Sequence, residues 1–247
     1  MGRIDFGLKI FSNNAGAIDE INRLYDNKTA QYAEIYYLFG TEIKQFKRCN
    51  APIVLHCDHG LKGLNIGEKK KKNKGMIELL IKAIDELDAR CAIVHAGFGD
   101  KSVAQEFLES IDERRIIIEN MPKLGINGEK MIGFDKEGLE FITKRKFSTC
   151  LDFSHAARAA LSLKKDYVSL VNELLELNPR IFHLSDADFN SEKDNHLKLG
   201  EGELDMGFIK NCIEKNDSSM VTLEIPKKEK DSFNEEIESI EFLKKIR

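Results

Sequence analysis

Short apolar runs recur along the chain, each closed by a polar loop and followed by a segment with helical spacing. The runs cover 4–10 (IDFGLKI), 33–37 (AEIYY), 52–56 (PIVLH), 92–96 (AIVHA), 116–120 (IIIEN), 149–153 (TCLDF), 181–185 (IFHLS) and 221–225 (VTLEI). They are rich in β-branched residues and do not alternate cleanly with polar ones. That pattern suits strands buried on both faces of a parallel sheet. Amphipathic segments fall between them at 16–27, 42–49, 76–90, 102–114, 136–146, 165–177, 206–215 and 232–246. The clearest, GMIELLIKAIDELDAR, places Ile77, Leu80, Ile81, Ile84 and Leu87 on one face. Eight strand–helix pairs in 247 residues predict an α/β fold, a (β/α)8 TIM barrel forming a single domain over 1–247. An open doubly wound sheet is the competitor, but no Gly-x-Gly-x-x-Gly follows the first strand.

Composition narrows the setting. Four prolines and no Gly/Ser-rich run leave no evident linker. The net charge of −4 argues against binding nucleic acid by bulk charge, though not against a local basic patch. Cys49, Cys57, Cys91, Cys150 and Cys212 are odd in number and lack CxxC spacing, as expected of reduced thiols in a cytoplasmic protein. No stretch is apolar enough for a bilayer, so no membrane partner is expected. Oligomeric state is left open.

The chemistry concentrates at the strand ends. His56 closes the third run, His95 the fourth, Glu119 the fifth, Asp152 the sixth with His155 three residues on, His183 the seventh and Glu224 the eighth. Asp194 and His196 follow in the loop after the seventh. In a (β/α)8 barrel these ends converge on one face, where active sites are built. Singly, such residues are more often capping or hydrogen-bonded groups. Together they would leave buried, mutually repelling carboxylates unless cations neutralise them. Carboxylates and imidazoles are the ligands divalent ions use. Nine candidates exceed the three or four protein ligands of a single catalytic ion, and suit two or three ions with a bridging carboxylate. Imidazole-rich ligation favours Zn2+; carboxylate-rich subsets also accept Mn2+ or Mg2+.

The ordered set LHCDH, VHAGFGD, ENMP, LDFSHA, HLSD, DNHLKLGEGELD and LEIP resembles the xylose-isomerase-like barrel superfamily, and within it the endonuclease IV branch. The resemblance runs from about Pro52 to Pro226 and implies three zinc ions at the barrel mouth. It implies His56, His95 and Glu119 around the first ion, and a shared Glu119 with Asp152, His183 and Glu224 around the second. His155, Asp194 and His196 would hold the third. His56 fits the strand end, whereas the spacing down to LNIG fits His59; we take His56 as the ligand and keep His59 as a substrate contact. Asp186, Asp188 and Glu192 are expected to be solvated loop charges.

The implied reaction is hydrolysis of a DNA phosphodiester at an abasic site, with Glu119 or Glu224 orienting the attacking water. Asn65 and Asn120 are expected to line the pocket. Lys69, Lys70, Lys71 and Lys72, read as loop, are either a solvated charge run or a phosphate-contacting edge. The loop LFGTEIKQFKR does not follow the branch's usual DNA-contacting pattern. A sugar or sugar-phosphate isomerase or epimerase of the same superfamily is the alternative. It needs only one ion on Glu119, Asp152, His183 and Glu224, with the glutamates shuttling a proton next to a carbonyl. The extra set of His56, His95, His155, Asp194 and His196 separates the two readings.

Overall fold

The computed structural model describes residues 4–59, 63–191 and 195–246. Eight parallel strands close into a barrel in chain order. They are β1 (Asp5–Phe11), β2 (Tyr32–Tyr37), β3 (Ile53–Cys57), β4 (Cys91–His95), β5 (Ile116–Glu119), β6 (Ser148–Asp152), β7 (Ile181–Leu184) and β8 (Met220–Leu223). The helices are α1 (Ile18–Asp26), α2 (Lys71–Glu86), α3 (Lys101–Glu109), α4 (Lys136–Thr143), α5 (Phe153–Leu163), α6 (Tyr167–Leu175), α7 (Met206–Lys215) and α8 (Asn234–Lys245). β1 pairs with both β2 and β8, so no sheet edge remains.

Three helical elements depart from the sequence pattern. The segment 42–49 forms only a 3-10 turn, Lys44–Arg48, because Ile43 and Phe46 alone reach the core and no second apolar turn follows. α2 starts at Lys71, six residues before Ile77, the first residue of the apolar stripe. α5 was hidden because it begins directly at the strand end, where the Asp152 side chain accepts from His155 N at 2.8 Å and caps the helix.

The barrel interior is layered by strand alternation, since residues i and i+2 face the same way. Tyr32, Val54, Cys91, Ile93, Ile117, Cys150 and Ile181 form an apolar cluster distinct from the core under the helices. Two residues on along their strands lie Glu34, His56, His95, Glu119, Asp152 and His183. The apolar layer thus forms a floor beneath a polar one. Gly7 makes room for that floor: a Cβ there would fall 2.2 Å from the Tyr32 ring. Gly7→Ala is therefore expected to destabilise the fold by about 1–3 kcal/mol in urea unfolding, as overpacked cores do.

Candidate metal centre

Glu119 is the hub of the polar layer. It is fully buried at the end of β5, with four imidazoles around it. His95 Nε2 lies 3.3 Å from Oε2 and His56 Nε2 3.7 Å from the same oxygen. His183 Nδ1 lies 3.2 Å and His155 Nδ1 3.4 Å from Oε1. His183 Nδ1 also lies 2.9 Å from Glu224 Oε1. Burial alone would raise the Glu119 pKa; His183 and His95 outweigh it and hold the carboxyl well below the usual range. His56 is also pushed down, to about 4, by burial and then by the Lys9 charge, which favours its neutral form.

The donor set fits a divalent ion. His56 Nε2 and Glu119 Oε2 are buried and find no hydrogen-bond partner among the described residues. Two orphaned groups facing each other are costly unless something fills the gap. A cation does so, because both atoms are acceptors when His56 carries its proton on Nδ1. Glu34 Oε1, 3.0 Å from that nitrogen, favours this tautomer. His155 and His196 are oriented similarly: their Nδ1 atoms lie 2.9 Å from Asn120 O and 2.8 Å from Glu224 O, which leaves Nε2 as the ligand atom.

Among the described residues, four groups bring ligand atoms within 4.8 Å: His56, His59 and His95; Glu34, His56, His183 and Glu224; Glu119, Cys150 and His183; and Glu119, Asp152 and His155. His56, His95, Glu119, Asp152, His155, His183 and Glu224 thus gather at one end of the barrel. The grouping differs from the pattern the resemblance implied: His155 clusters with Glu119 and Asp152, and His196 joins no group of three among the described residues. Asp194 and Glu192 lie outside the described residues. His59 stacks on His95 at 3.8 Å, so His56 near the end of β3 and His59 just beyond it both stand beside His95.

Other expectations are corrected. Asn120 is fully buried and does not line the pocket; its amide joins β5 to β6 by donating to Asp152 O at 3.1 Å and accepting from Asp152 N at 2.7 Å. Asn65 borders the cavity, but its amide organises the loop, accepting from Phe98 N at 3.1 Å and donating to Glu68 at 2.7 Å. Asp186 is not a solvated charge. It is buried and accepts from the backbone N–H groups of Ala187, Gly200, Gly202 and Leu204, which hold the Gly-Glu-Gly turn. Asp188 meets Asn195 at 2.7 Å. Lys71 and Lys72 stand in the first turn of α2 rather than in a loop. Lys69 pairs with Glu106 at 3.6 Å, Lys70 with Glu68, and Lys72 donates to Gly63 O at 3.1 Å. None of these four lysines lines the mouth cavity.

Two charged residues of the layer come from strands whose ends show no motif. Lys9 on β1 contacts Glu224 directly and lies 2.9 Å from His56 Nδ1. Glu34 on β2 is fully buried and lies 3.0 Å from His183 Nε2. The available signal was a charged residue inside an apolar run, at the position that alternation turns inward.

A family model described as xylose isomerase-like TIM barrel matches residues 41–246. The chain belongs to that family. Within it, the chain is similar to a probable endonuclease 4 from Campylobacter concisus, 27% identical over 237 residues that cover 83% of this chain and 82% of the relative. Among solved structures it resembles a D-tagatose 3-epimerase-like protein, with a TM-score of 0.70, 20% identity and 98% of both chains covered. It also resembles endonuclease IV from Thermus thermophilus, with a TM-score of 0.68, 19% identity and 97% and 98% coverage. These structural likenesses show a shared fold. The relatives are named as enzymes of two kinds, endonucleases and epimerases. No helix among the described residues is long and apolar enough to cross a membrane.

Proposed function

We propose that this protein is a zinc-dependent phosphodiester hydrolase that cleaves DNA at abasic sites, using two or three ions at the barrel mouth. The observation that carries this reading is the pair of imidazoles on Glu119 Oε2, the carboxylate oxygen other than the one that faces His183. His56 and His95 both present Nε2 to Glu119 Oε2. One ion on Glu119, Asp152, His183 and Glu224 has no use for them. Bound there, the ions supply Lewis acidity, acidifying a water and stabilising charge on the phosphate and leaving oxygens.

The side chains divide the remaining work. Glu119 is fully enclosed and serves as the shared ligand. Glu224 borders the cavity and is kept ionised against burial by Lys9 and His183, so it is placed to orient the attacking water. The mouth cavity of about 360 Å3 opens beside a groove of about 720 Å3, and Lys9, His59, His196 and Glu224 line both. Lys228 and Lys230 flank the groove, as does Phe11, which is half-exposed and packs 5.1 Å from Tyr36. A groove running on from the mouth, with cations and an exposed ring, suits a polyanion longer than the cavity. Replacing Lys228 and Lys230 together by glutamine is expected to lower the salt slope of DNA binding by about 1–2, measured by fluorescence titration.

A second reading, a divalent-metal-dependent sugar or sugar-phosphate isomerase or epimerase, is favoured by the cavity roof. Met121, Leu124, Ile126 and Met131 border a space of small-sugar size. Elemental analysis of protein purified without chelator or added metal tests the choice. Two or three zinc ions per chain support the hydrolase. One ion, or mainly manganese or magnesium, favours the isomerase.

A further inference from the structure

Beside the Glu119 cluster, in the same polar layer, lies a set of ligand-type atoms that the proposed hydrolysis does not use as a unit. Glu34 on β2, His56 on β3, His183 on β7 and Glu224 beyond β8 each bring one such atom within 4.8 Å of the others. Two carboxylates and two imidazoles are a donor set that a divalent ion accepts. In this chain a cation of another kind already stands among them. Lys9 Nζ lies 2.9 Å from His56 Nδ1 and 3.3 Å from Glu34 Oε1, and touches Glu224 Oε1. An ammonium is a compact point charge with three donors, and here the Glu34 and Glu224 carboxylates converge on it.

We propose that the Lys9 ammonium is the resident cation of this inner pocket and takes the place of a divalent ion there, so that metal binds only on the Glu119 side and in the mouth. The inference rests on the metal-binding part of the proposed function and is independent of the substrate. An ammonium and a divalent ion in one four-ligand pocket repel each other at close range, so the pocket holds one or the other. The fixed cation also organises the outer ligands. Both Glu34 oxygens are engaged: Oε1 faces His56 Nδ1 and Lys9, while Oε2 accepts from Thr222 Oγ1 at 2.6 Å and lies 3.0 Å from His183 Nε2. Tyr32 Oη lies 2.8 Å from Thr222 Oγ1 and continues the chain downward. With their inner nitrogens held this way, His56 turns Nε2 and His183 turns Nδ1 toward Glu119.

The test is the number of zinc ions per full-length chain at saturation, by equilibrium dialysis and elemental analysis. It compares the wild type, Lys9→Met and the double variant Lys9→Met/Glu34→Gln. Lys9→Met is expected to bind one zinc more than the wild type. The double variant, which lacks one carboxylate of the inner pocket, is expected to return to the wild-type count. Equal counts in Lys9→Met and the wild type overturn the proposal. Removing the ammonium takes one counter-charge from Glu34 and Glu224, so Lys9→Met is also refolded with and without zinc. Refolding that needs zinc more than the wild type does gives the same answer as the additional ion; refolding indifferent to zinc overturns it. Failure of the DNA-cleaving function leaves the difference in counts intact. A wild type that binds no zinc would remove the proposed outer centre, yet the inner pocket of Lys9→Met would still take one ion.

Discussion

Glu119→Gln is expected to abolish turnover and to release metal together. The amide keeps the volume but gives up the charge, and one of its two ends can no longer accept. Every imidazole around the hub is affected, because His56, His95, His155 and His183 all lie within 3.7 Å of the Glu119 carboxylate. Lewis-acid stabilisation is worth several kcal/mol, and each 1.36 kcal/mol is a factor of ten in rate. The loss in kcat is therefore expected to be about 10³-fold or more. Zinc content, read by elemental analysis on the same sample, is expected to fall by at least one ion per chain. A variant that retains full zinc and loses only rate would show that Glu119 acts on substrate rather than as a shared ligand.

The second large effect is expected at Arg158, on the inner side of α5. It heads the largest fully buried side chains. Its guanidinium donates to the carbonyls of Asp188 and Ser191 and to Asn195 Oδ1, and lies 3.7 Å from Asp188 Oδ1. All these partners belong to the connection between β7 and α7 that also carries His196. Methionine fills much of the space but leaves those acceptors without their donor. Arg158→Met is expected to destabilise the protein by about 3 kcal/mol in urea unfolding, the scale of breaking a buried charged hydrogen-bond set. On the proposed function, it is also expected to weaken zinc binding at the mouth by about 10–100-fold, as loss of supporting contacts does at metal sites. Chelator competition on the folded variant reads that change.

The barrel was legible because its strands are short, β-branched and separated by helical stripes, and local pattern carries that information. The gathering of the strand-end residues was legible for a related reason: in a closed parallel barrel every C-terminal strand end faces the same mouth. Lys9 and Glu34 escaped because they sit mid-strand, where only the inward phase of alternation distinguishes a buried charge from a solvent-facing one. That phase is set by register across the barrel, such as Lys9 opposite Glu34, and not within either strand. Asp186 was misjudged because its four backbone donors come mostly from a turn more than a dozen residues on. The partners of Arg158 likewise lie about thirty residues away in sequence. The choice between His56 and His59 depends on how the chain leaves β3, and the structure brings both beside His95. Whether the lysines at the start of α2 meet phosphate depends on tertiary pairing, and three of the four already have partners.

The most direct test of the central claim is incision of a duplex carrying a single abasic site by the zinc-loaded protein, with Glu119→Gln as the control. The proposed function predicts a backbone cut at the abasic position, abolished by prior chelation and absent from the control. A protein that holds two or more zinc ions, leaves that duplex intact and instead interconverts sugars would contradict it.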